Sequence, residues 1–230
     1  RENILNATMG GMQQAVEELD IVPNLVLVDD QGRVIAAKTI EYPMETPKPG
    51  WTQQNPQDWW AASVESIRAV LAKANVPAQD IAAIGLSGQM HGMVALDEHD
   101  QVVRPAILWN DGRTAKQVDY LNNVIGKERL SALTANIAFA GFTAPKILWL
   151  RENEPENFAR ISKIMLPKDY INYLLTGVHA CDYSDASGML LLDVQHKCWS
   201  SEMLDICGVR AEQMPHLFES YDCIGTLRPE

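Results

Sequence analysis

The sequence predicts an α/β protein in which a mixed sheet is flanked by helices. Two apolar runs, at residues 25–28 and 34–37, have the length and composition of β-strands. Between residues 56 and 74 apolar side chains recur at helical spacing, and a third apolar run follows at 81–86. The chain has 230 residues, of which 47% are apolar, so it is long enough to bury a core between such layers.

The first element in chain order is a predicted helix over residues 1–20. Its apolar side chains are separated by steps of four and three residues, which is helical spacing. Gly10 and Gly11 weaken this prediction because glycine costs helix stability, and Pro23 ends the segment. The apolar positions are Leu5, Met9, Met12, Val16 and Leu19.

A hairpin follows. The apolar runs at 25–28 and 34–37 enclose the polar sequence Asp29-Asp30-Gln31-Gly32. Glycine adopts a positive φ without steric cost, so Gly32 is placed where a tight turn requires that conformation.

A proline-rich loop at 41–55 leads into the long helix predicted at 56–74. Asn55-Pro56 has the pattern of a helix start, with asparagine as the capping residue and proline at the first helical position. One apolar face of this helix is predicted to pack on the sheet. That face consists of Trp60, Val64, Ile67, Leu71 and Ala74.

Two predicted strands end in polar segments that suggest a binding site. The run at 81–86 predicts a buried strand and is followed by the polar segment 87–92. The apolar residues 106–108 are followed in the same way by 109–113. Ligands of open α/β sheets bind beyond the carboxyl ends of strands. We therefore expect both polar segments to converge on one pocket.

After about residue 113 the pattern changes to helices separated by glycine and proline. The helix that ends at Leu174-Leu175-Thr176-Gly177 has a glycine stop signal. Residues 182–188 predict a polar turn that leads into a strand at 189–192. The predicted helices are 114–124, 127–135, 144–153, 156–162, 168–175 and 201–207, and a short strand at 93–96 and a turn at 97–101 precede them.

Charge and composition exclude some classes of partner. The net charge of −11 argues against nucleic acid and anionic membranes, which both require clustered Lys and Arg. A phosphate-bearing ligand remains compatible with this charge, because backbone donors and one or two cations can hold it. The sequence contains no apolar run long enough to span a membrane and no signal peptide, so we expect a cytoplasmic protein.

The four cysteines do not have the paired short spacing of a zinc site, and no metal site is predicted. With nothing else in the sequence to suggest secretion, we expect reduced thiols. These cysteines are Cys181, Cys198, Cys207 and Cys223.

The residues of the two polar segments admit both functional and structural interpretations. Gln89 and His91 lie in a glycine-flanked loop and could bind a small molecule, although a single histidine is often structural. Asp111 beside Arg113 could equally form a surface ion pair, which contributes little stability. Trp109 could belong to the core. Lys168-Asp169 could be an ordinary helix start.

Taken together, four segments resemble the FGGY family of carbohydrate kinases. They are Gly-Gln-Met-His-Gly at 88–92, Arg-Pro-Ala-Ile-Leu-Trp-Asn-Asp-Gly-Arg at 104–113, Gly-Phe-Thr-Ala-Pro-Lys-Ile-Leu-Trp-Leu-Arg-Glu-Asn at 141–153, and Leu-Pro-Lys-Asp-Tyr at 166–170. The third matches the family's first signature throughout its length. The Met-His-Gly form resembles the subgroup that phosphorylates D-xylulose, the xylulokinases. The resemblance extends from about residue 25 to residue 230.

The resemblance implies an actin-like, ribonuclease-H-like fold with two domains, between which the sugar and ATP with Mg²⁺ meet. It assigns Met90 and His91 to the sugar site, where His91 would hydrogen-bond a hydroxyl and Met90 would provide an apolar wall. Gln89, Trp109 and Asp111 belong to the same candidate substrate site. Residues 141–153 and 182–188 are expected to be structural. A homodimer is expected from the family, and the sequence indicates no cofactor-binding residue.

Two family features are not found in the sequence. The family begins with a strand and an Asp-x-Gly-Thr turn that handles phosphate and metal, whereas residues 1–24 offer only Met9-Gly10-Gly11-Met12. The catalytic base and the adenosine pocket belong to the family's C-terminal domain. We therefore expect an atypical segment at 1–24, a sugar-binding N-terminal domain at 25–230, and no catalytic residue in this chain, which alone should be inactive.

Two alternative functions remain open at this point. The chain could be a catalytically silent sugar-binding or interaction module, because the phosphate-binding turn is missing. It could also belong to a sister kinase for ribulose, gluconate, glycerol or another polyol, because discrimination between such substrates depends on a few hydrogen bonds.

Overall fold

The computed structural model describes residues 25–229, so the helix expected over residues 1–20 lies outside the described residues. The described chain forms two compact units. One comprises residues 25–43 and 57–85, and the other comprises 44–56 and 86–229. Within this described part, none of the helices has both the length and the apolar character needed to cross a bilayer.

The first unit contains the predicted hairpin. Strand β1 (Leu25–Val28) pairs antiparallel with β2 (Val34–Lys38), with one register irregularity after Leu27. Gly32 has φ 77° in the turn, as predicted. The Asp29 carboxylate accepts hydrogen bonds of 2.9 Å from the N–H groups of two turn residues, Gln31 and Arg33. Both strands and the turn are therefore confirmed.

Helix α1 (Pro56–Ala74) has the predicted limits but buries a different face. The predicted face, which contains Trp60, is only half-buried. The fully buried side chains begin one residue earlier, which rotates the buried face by about 100°. Two adjacent tryptophans, Trp59 and Trp60, lie near the start of this helix on different faces, so periodicity alone did not decide between the two faces. The buried residues are Trp59, Ala62, Ser66 and Val70.

The prediction of a buried strand at 81–86 is wrong for the described structure. This run lies largely on the surface, and Ile84 is 39% exposed. A buried strand requires partners for its N–H and C=O groups. Among the described residues no strand pairs with this run, and the Ile81 N–H instead donates to Ala78 O at 3.2 Å, closing the 3₁₀ turn Ala78–Asp80.

The second unit contains short paired strands. They are β3 (Gln53–Gln54), β4 (Val94–Leu96), β5 (Ala106–Ile107), β6 (Lys163–Met165), β7 (Ala180–Asp182), β8 (Leu192–Asp193), β9 (Cys198–Trp199) and β10 (His216–Phe218). The pairs β3–β5, β4–β6 and β8–β9 are antiparallel, and β7–β10 is parallel. A bridge between Met93 and Ile107 places the residue that precedes β4 beside β5.

The helices of the second unit largely follow the prediction. They are α2 (Ala115–Asp119), α3 (Lys127–Thr134), α4 (Thr143–Asn153), α5 (Pro155–Arg160), α6 (Pro167–Thr176), α7 (Tyr183–Ser187) and α8 (Ser201–Cys207). Gly177, with φ 76°, ends α6 as its stop signal predicted. The turn predicted at 97–101 is confirmed by a 2.9 Å bond from Asp97 N to Gln101 O.

The helix predicted at 114–124 is only partly α-helical. After α2 the chain forms a π-helix, Tyr120–Gly126, which leads into α3. The side chain of Asn122 in this wider turn bonds both the N–H and the C=O of Ala138, at 3.0 and 2.9 Å. A π-helix is rare, and a sequence pattern based on 3.6 residues per turn does not anticipate one.

Two smaller predictions near residue 190 are also corrected. The predicted polar turn at 182–188 contains helix α7, which Asp182 caps by accepting from the N–H groups of Ser184 and Asp185 at 3.1 Å. Residues 188–190 form a turn, with Leu190 at φ 62°, and Met189, Leu190 and Leu191 precede strand β8, which begins only at Leu192. These apolar residues are completely buried without pairing as a strand, which explains the incorrect prediction.

Helix α4 lies at the centre of the second unit's core. Its first eight residues are all buried. A helix that is buried on all sides needs apolar neighbours around its whole circumference. Residues from β4, β6, α8 and the segment 189–191 provide them.

We predict that Leu148→Ala in α4 lowers the free energy of unfolding by about 2–5 kcal/mol. Leu148 is only 1% exposed, so truncation of its side chain would leave a cavity in the core. Urea unfolding measures this change. Leu227→Ala is the matched control, since Leu227 is 59% exposed and should change stability by less than about 0.5 kcal/mol. Equal effects of the two substitutions would contradict the described core.

Candidate functional site

The loop at 87–92 packs against the start of α6 through its glycines. A Cβ on Gly92 would lie 2.6 Å from Pro167 Cγ, and one on Gly88 would lie 3.0 Å from Lys168 Cβ. Side chains at either position would push the loop away from α6. The glycines that flank His91 therefore allow the loop to approach the helix closely.

His91 is the most constrained residue of this loop. Its backbone is left-handed, with φ 63°, which is uncommon for a residue other than glycine. Its half-buried ring lies 4.6 Å from the Phe142 ring, between centroids. On another side the ring packs against Gly188, where a Cβ would approach Nδ1 to 2.6 Å. The chain around His91 therefore holds the imidazole in one position.

The imidazole of His91 is neutral at neutral pH. Burial lowers its pKa from 6.5, and the nearby Lys146 ammonium lowers it further, while the Gly188 backbone and the Asp185 carboxylate act in the opposite direction. Nδ1 is buried and has no hydrogen-bond partner among the described residues. A neutral imidazole can both donate and accept a hydrogen bond, which suits contact with a hydroxyl group.

The neighbours of His91 in the loop differ in exposure. Met90 is 53% exposed and is free to present an apolar surface to a ligand. Gln89 is half-buried, and its side-chain amide donates to Gln54 Oε1 at 3.3 Å. The sequence did not identify Gln54, because it lies 35 residues earlier in a segment predicted as a loop.

The second predicted segment follows β5 and lies beside the first. Trp109 is 54% exposed, and its carbonyl packs so closely on Gly141 that a Cβ there would lie 2.5 Å from the oxygen. Met93, which follows the first segment, donates its N–H to the carbonyl of Ile107 in β5 at 3.1 Å. The structure thus brings the two predicted segments together, although only one of them follows a strand.

Asp111 forms an ion pair, and that pair is buried. Both side chains of the Asp111–Arg113 pair have zero exposure, and the carboxylate accepts from Arg113 Nε and Nη2 at 2.9 and 2.8 Å. Asp111 also accepts from the N–H groups of Thr52 and Arg113 at 2.6 and 2.8 Å. The surface position considered for this pair is therefore incorrect. A contact between Asp111 and a sugar stays a prediction, and the carboxylate already has four protein donors.

Two tryptophans complete the surroundings of Arg113. Its guanidinium carbon lies 4.1 Å from the Trp51 ring centroid and 5.0 Å from that of Trp149 in α4. Such stacking stabilises a desolvated guanidinium. Gln53 Oε1 accepts from Arg113 Nη2 at 3.2 Å and from Arg104 Nη2 at 3.1 Å. This network fixes the backbone that presents Trp109.

Lys146 is the important residue that sequence reasoning missed. It is completely buried in α4, and its ammonium donates to the carbonyls of His91 and Gly141, both at 2.6 Å. Burial lowers its pKa to about 7, with Asp111 acting against this shift and Arg113 adding to it. A single lysine within the apolar sequence 144–150 was the available signal.

Lys168 forms a second charged cluster beside the loop. Its ammonium lies 2.8 Å from Asp169, 2.7 Å from Asp182 and 3.3 Å from Asp185. Burial alone would lower the pKa of Lys168, but these carboxylates outweigh it and raise the pKa. Lys168 is therefore a fully paired cation at the start of α6, which agrees with the structural interpretation.

Two surface depressions of the second unit lie away from the candidate residues. One is lined around His179 and Trp199 and the other around Asp97 and Arg160, and neither contains a predicted sugar-binding residue. Within residues 25–229 no group of three or more His, Cys, Asp or Glu side chains is arranged to hold a metal ion. All four cysteines are free, as predicted.

Comparison with known proteins shows which protein family the chain belongs to. The family model described as the N-terminal domain of the FGGY family of carbohydrate kinases matches residues 22–230. The chain therefore belongs to the FGGY family of carbohydrate kinases, which confirms the resemblance and the fold class inferred from it.

Two of the relatives that the chain resembles are named xylulose kinases. The chain is 42% identical to the xylulose kinase of Escherichia coli (strain K12) over 206 residues, which are 90% of this chain and 42% of that protein. It is 43% identical to the xylulose kinase of Bacillus subtilis (strain 168) over 204 residues, which are 89% and 41% of the two chains. It spans about two fifths of the length of these curated relatives.

Solved structures agree with this similarity. A xyloylose (xylulose) kinase from Brucella ovis superposes with a TM-score of 0.85 at 41% identity, covering 89% of this chain and 42% of that one. A gluconate kinase from Lactobacillus acidophilus gives 0.83 at 27% identity, covering 89% and 41%. The fold is therefore shared by kinases that are named for different sugars.

We predict that Asp111→Asn lowers the free energy of unfolding by about 3–5 kcal/mol, because it leaves the buried Arg113 charge without its carboxylate. Chemical denaturation followed by circular dichroism measures the change. Glu152→Gln is the control, since its pair with Lys116 is exposed, with side-chain exposures of 38% and 83%, and should contribute less than about 1 kcal/mol. A loss no larger than that of the control would show that the pair is dispensable.

A pH-dependent stability is predicted for Lys146. Its pKa is about 7 in the folded protein, against an ordinary value of 10.5, so the unfolded chain binds more protons between these values. Stability from this group therefore rises with pH across that window and is lost as the pH falls through about 7.

The test compares the wild type with Lys146→Met in urea at about pH 6.5 and pH 8.5. Between the lower and the higher pH, the unfolding free energy of the wild type should rise by roughly 1–2 kcal/mol relative to that of Lys146→Met. The reason is that a full protonation difference gives about 1.4 kcal/mol per pH unit. Other titrating groups occur in both proteins and largely cancel. A difference that does not change with pH would mean that Lys146 titrates at its ordinary value.

Proposed function

We propose that this chain supplies the sugar-binding part of an ATP-dependent kinase that transfers the γ-phosphoryl group to D-xylulose, giving D-xylulose 5-phosphate. In this proposal residues 25–230 are the sugar-binding domain and residues 1–24 are an atypical preceding segment. The observation that carries the proposal is the arrangement of His91, whose neutral imidazole is held in one position beside the exposed side chain of Met90. The similarity to proteins named xylulose kinases supports the choice of sugar.

The proposed site combines polar and apolar contacts, as sugar recognition requires. His91 would hydrogen-bond one hydroxyl of the substrate. Met90 and Trp109, which are 53% and 54% exposed, would cover its C–H surface. Gln89, already oriented by Gln54, would contact a second hydroxyl. Asp111 would act mainly by holding the Trp109 segment through its bonds to Thr52 and Arg113.

ATP and Mg²⁺ belong to the proposed reaction of the whole protein. Phosphoryl transfer depends on positioning and on charge stabilisation around the phosphates. The described residues do not bring together metal-binding side chains. In the family that the sequence resembles, the catalytic base and the adenosine pocket belong to the C-terminal domain, and we assign neither them nor the metal contacts to a residue of this chain. A cytoplasmic location and a homodimer complete the proposal.

The first experiment is a calorimetric titration of the 230-residue chain with D-xylulose, with glycerol and ATP as comparisons. We expect weak heat that is selective for xylulose and no ATP binding. The second experiment assays ADP release by the protein extended to the length of its relatives, with ATP, Mg²⁺ and D-xylulose. No release above the sugar-free control would overturn the kinase proposal and favour a silent sugar-binding module.

A sister kinase is the alternative that the comparisons favour, because the gluconate kinase from Lactobacillus acidophilus shares the fold. The same ADP assay with gluconate, ribulose and glycerol separates these possibilities. A higher kcat/KM for one of them than for D-xylulose would reassign the substrate while leaving the reaction class unchanged.

We predict that His91→Ala in the extended protein reduces kcat/KM for D-xylulose by an amount equivalent to about 1–3 kcal/mol, because one hydrogen bond to the sugar is lost. Steady-state kinetics measure the change. His99→Ala is the control, since that side chain is 77% exposed in a turn away from the site. Unchanged kinetics of the His91 variant for every sugar tested would make His91 a structural residue.

A further inference from the structure

The hydrogen-bond partners of the buried Lys146 side chain are unusual for a buried cation. Its side chain has zero exposure, yet its hydrogen bonds go to main-chain carbonyls and not to a carboxylate. A buried ammonium is stable only when it is well hydrogen-bonded. The two acceptors, His91 O and Gly141 O, are each 2.6 Å away, and charge-assisted bonds of this length are strong.

The two carbonyls belong to two different loops. His91 lies in the loop at 87–92, which carries the proposed sugar-binding residues. Gly141 lies in the loop that precedes α4 and packs against the carbonyl of Trp109. One ammonium group therefore sets the distance between the two loops.

The His91 carbonyl has a second donor from the same helix. Thr143 Oγ1 donates to it at 3.1 Å. Both donors lie at the start of α4, the completely buried segment of the core. His91 has a left-handed backbone, which persists only where the surroundings hold it. Because its carbonyl is held by two donors, the direction of the imidazole follows from α4.

The loop at 138–142, which lies on the other side of the His91 ring, is also held by hydrogen bonds. Asn122 of the π-helix bonds the backbone of Ala138, and Thr114 Oγ1 donates to Ala140 O at 3.0 Å. Lys146 then holds Gly141, and the next residue, Phe142, contacts the imidazole. Lys146 thus controls both the backbone of His91 and the aromatic ring beside it.

We propose that Lys146, assisted by Thr143, is a positioning residue of the sugar site that acts through His91 without contacting the sugar. The proposal rests on the proposed sugar-binding function of His91. It predicts that removal of the ammonium or of the Thr143 hydroxyl turns the imidazole away from its productive orientation. A neutral lysine amine retains two N–H donors, so this positioning does not require the charged form.

The kinetic test uses Lys146→Met and Thr143→Val in the protein extended to the length of its relatives. Lys146→Met should raise the KM for D-xylulose roughly tenfold, and Thr143→Val roughly threefold, with kcat changed less than about twofold, because hydrogen bonds of this kind have such effects. Lys116→Met and Thr39→Val are the matched controls, since both side chains are exposed. A lower kcat with unchanged KM would indicate only a loss of folded protein and would overturn the proposal.

A double-mutant cycle tests whether Lys146 acts through His91. In the His91→Ala background, Lys146→Met should raise KM less than about twofold further, because the group that it positions is absent. The same increase in KM in both backgrounds would show that Lys146 acts independently of His91 and would overturn the inference.

A spectroscopic measurement separates this inference from the proposed function. Nitrogen-15 spectra of labelled histidine in the sugar-free chain report the His91 ring. Thr143→Val should shift the His91 resonances without changing any charge, whereas Thr39→Val should leave them unchanged. Unshifted His91 resonances would overturn the inference even if the protein is a xylulose kinase. Shifted resonances without kinase activity would leave the inference intact and the proposed function wrong. Thr143→Val also keeps the test valid if Lys146→Met does not fold.

Discussion

The complete burial of the first eight residues of α4 is the constraint on which the second unit depends. A helix surrounded by core cannot rotate, so the directions of its polar side chains are fixed. Thr143 and Lys146 donate to the His91 carbonyl in the loop at 87–92, and Trp149 lies beside the Arg113 guanidinium. One helix thereby connects the loop of His91, the loop of Gly141 and the ion pair of Asp111.

The two buried cations of this region are stabilised by different means. The Arg113 guanidinium has a bidentate carboxylate partner and lies beside two indole rings. Lys146 donates only to carbonyl oxygens, which accept strongly from an ammonium and more weakly from a neutral amine. The first interaction gives the site a buried ionic anchor. The second allows the charge near His91 to change while the backbone stays in place.

Local signals in the sequence were sufficient for part of the fold. Gly32 marked the hairpin turn, Pro56 the start of α1 and Gly177 the end of α6, because each acts through its own backbone. The run at 81–86 was misassigned because a strand depends on partners distant in sequence. The same limitation applied to the site, where the motifs identified His91 and Asp111 but not their partners. The buried pairing of Asp111 and the bond from Lys146 to His91 O join residues brought together only by the tertiary fold.

The π-helix at Tyr120–Gly126 makes this part of the chain sensitive to its own length. An α-helix turns about 100° per residue, so one residue fewer in this segment would rotate the residues before it relative to those after it. The Asn122 amide would then point away from Ala138 and release the loop that leads to Phe142. A change in the length of this segment would therefore reach the loop that contacts the His91 ring. Deletion of one residue from this helix would alter the geometry beside His91, as a substitution within the loop at 87–92 would.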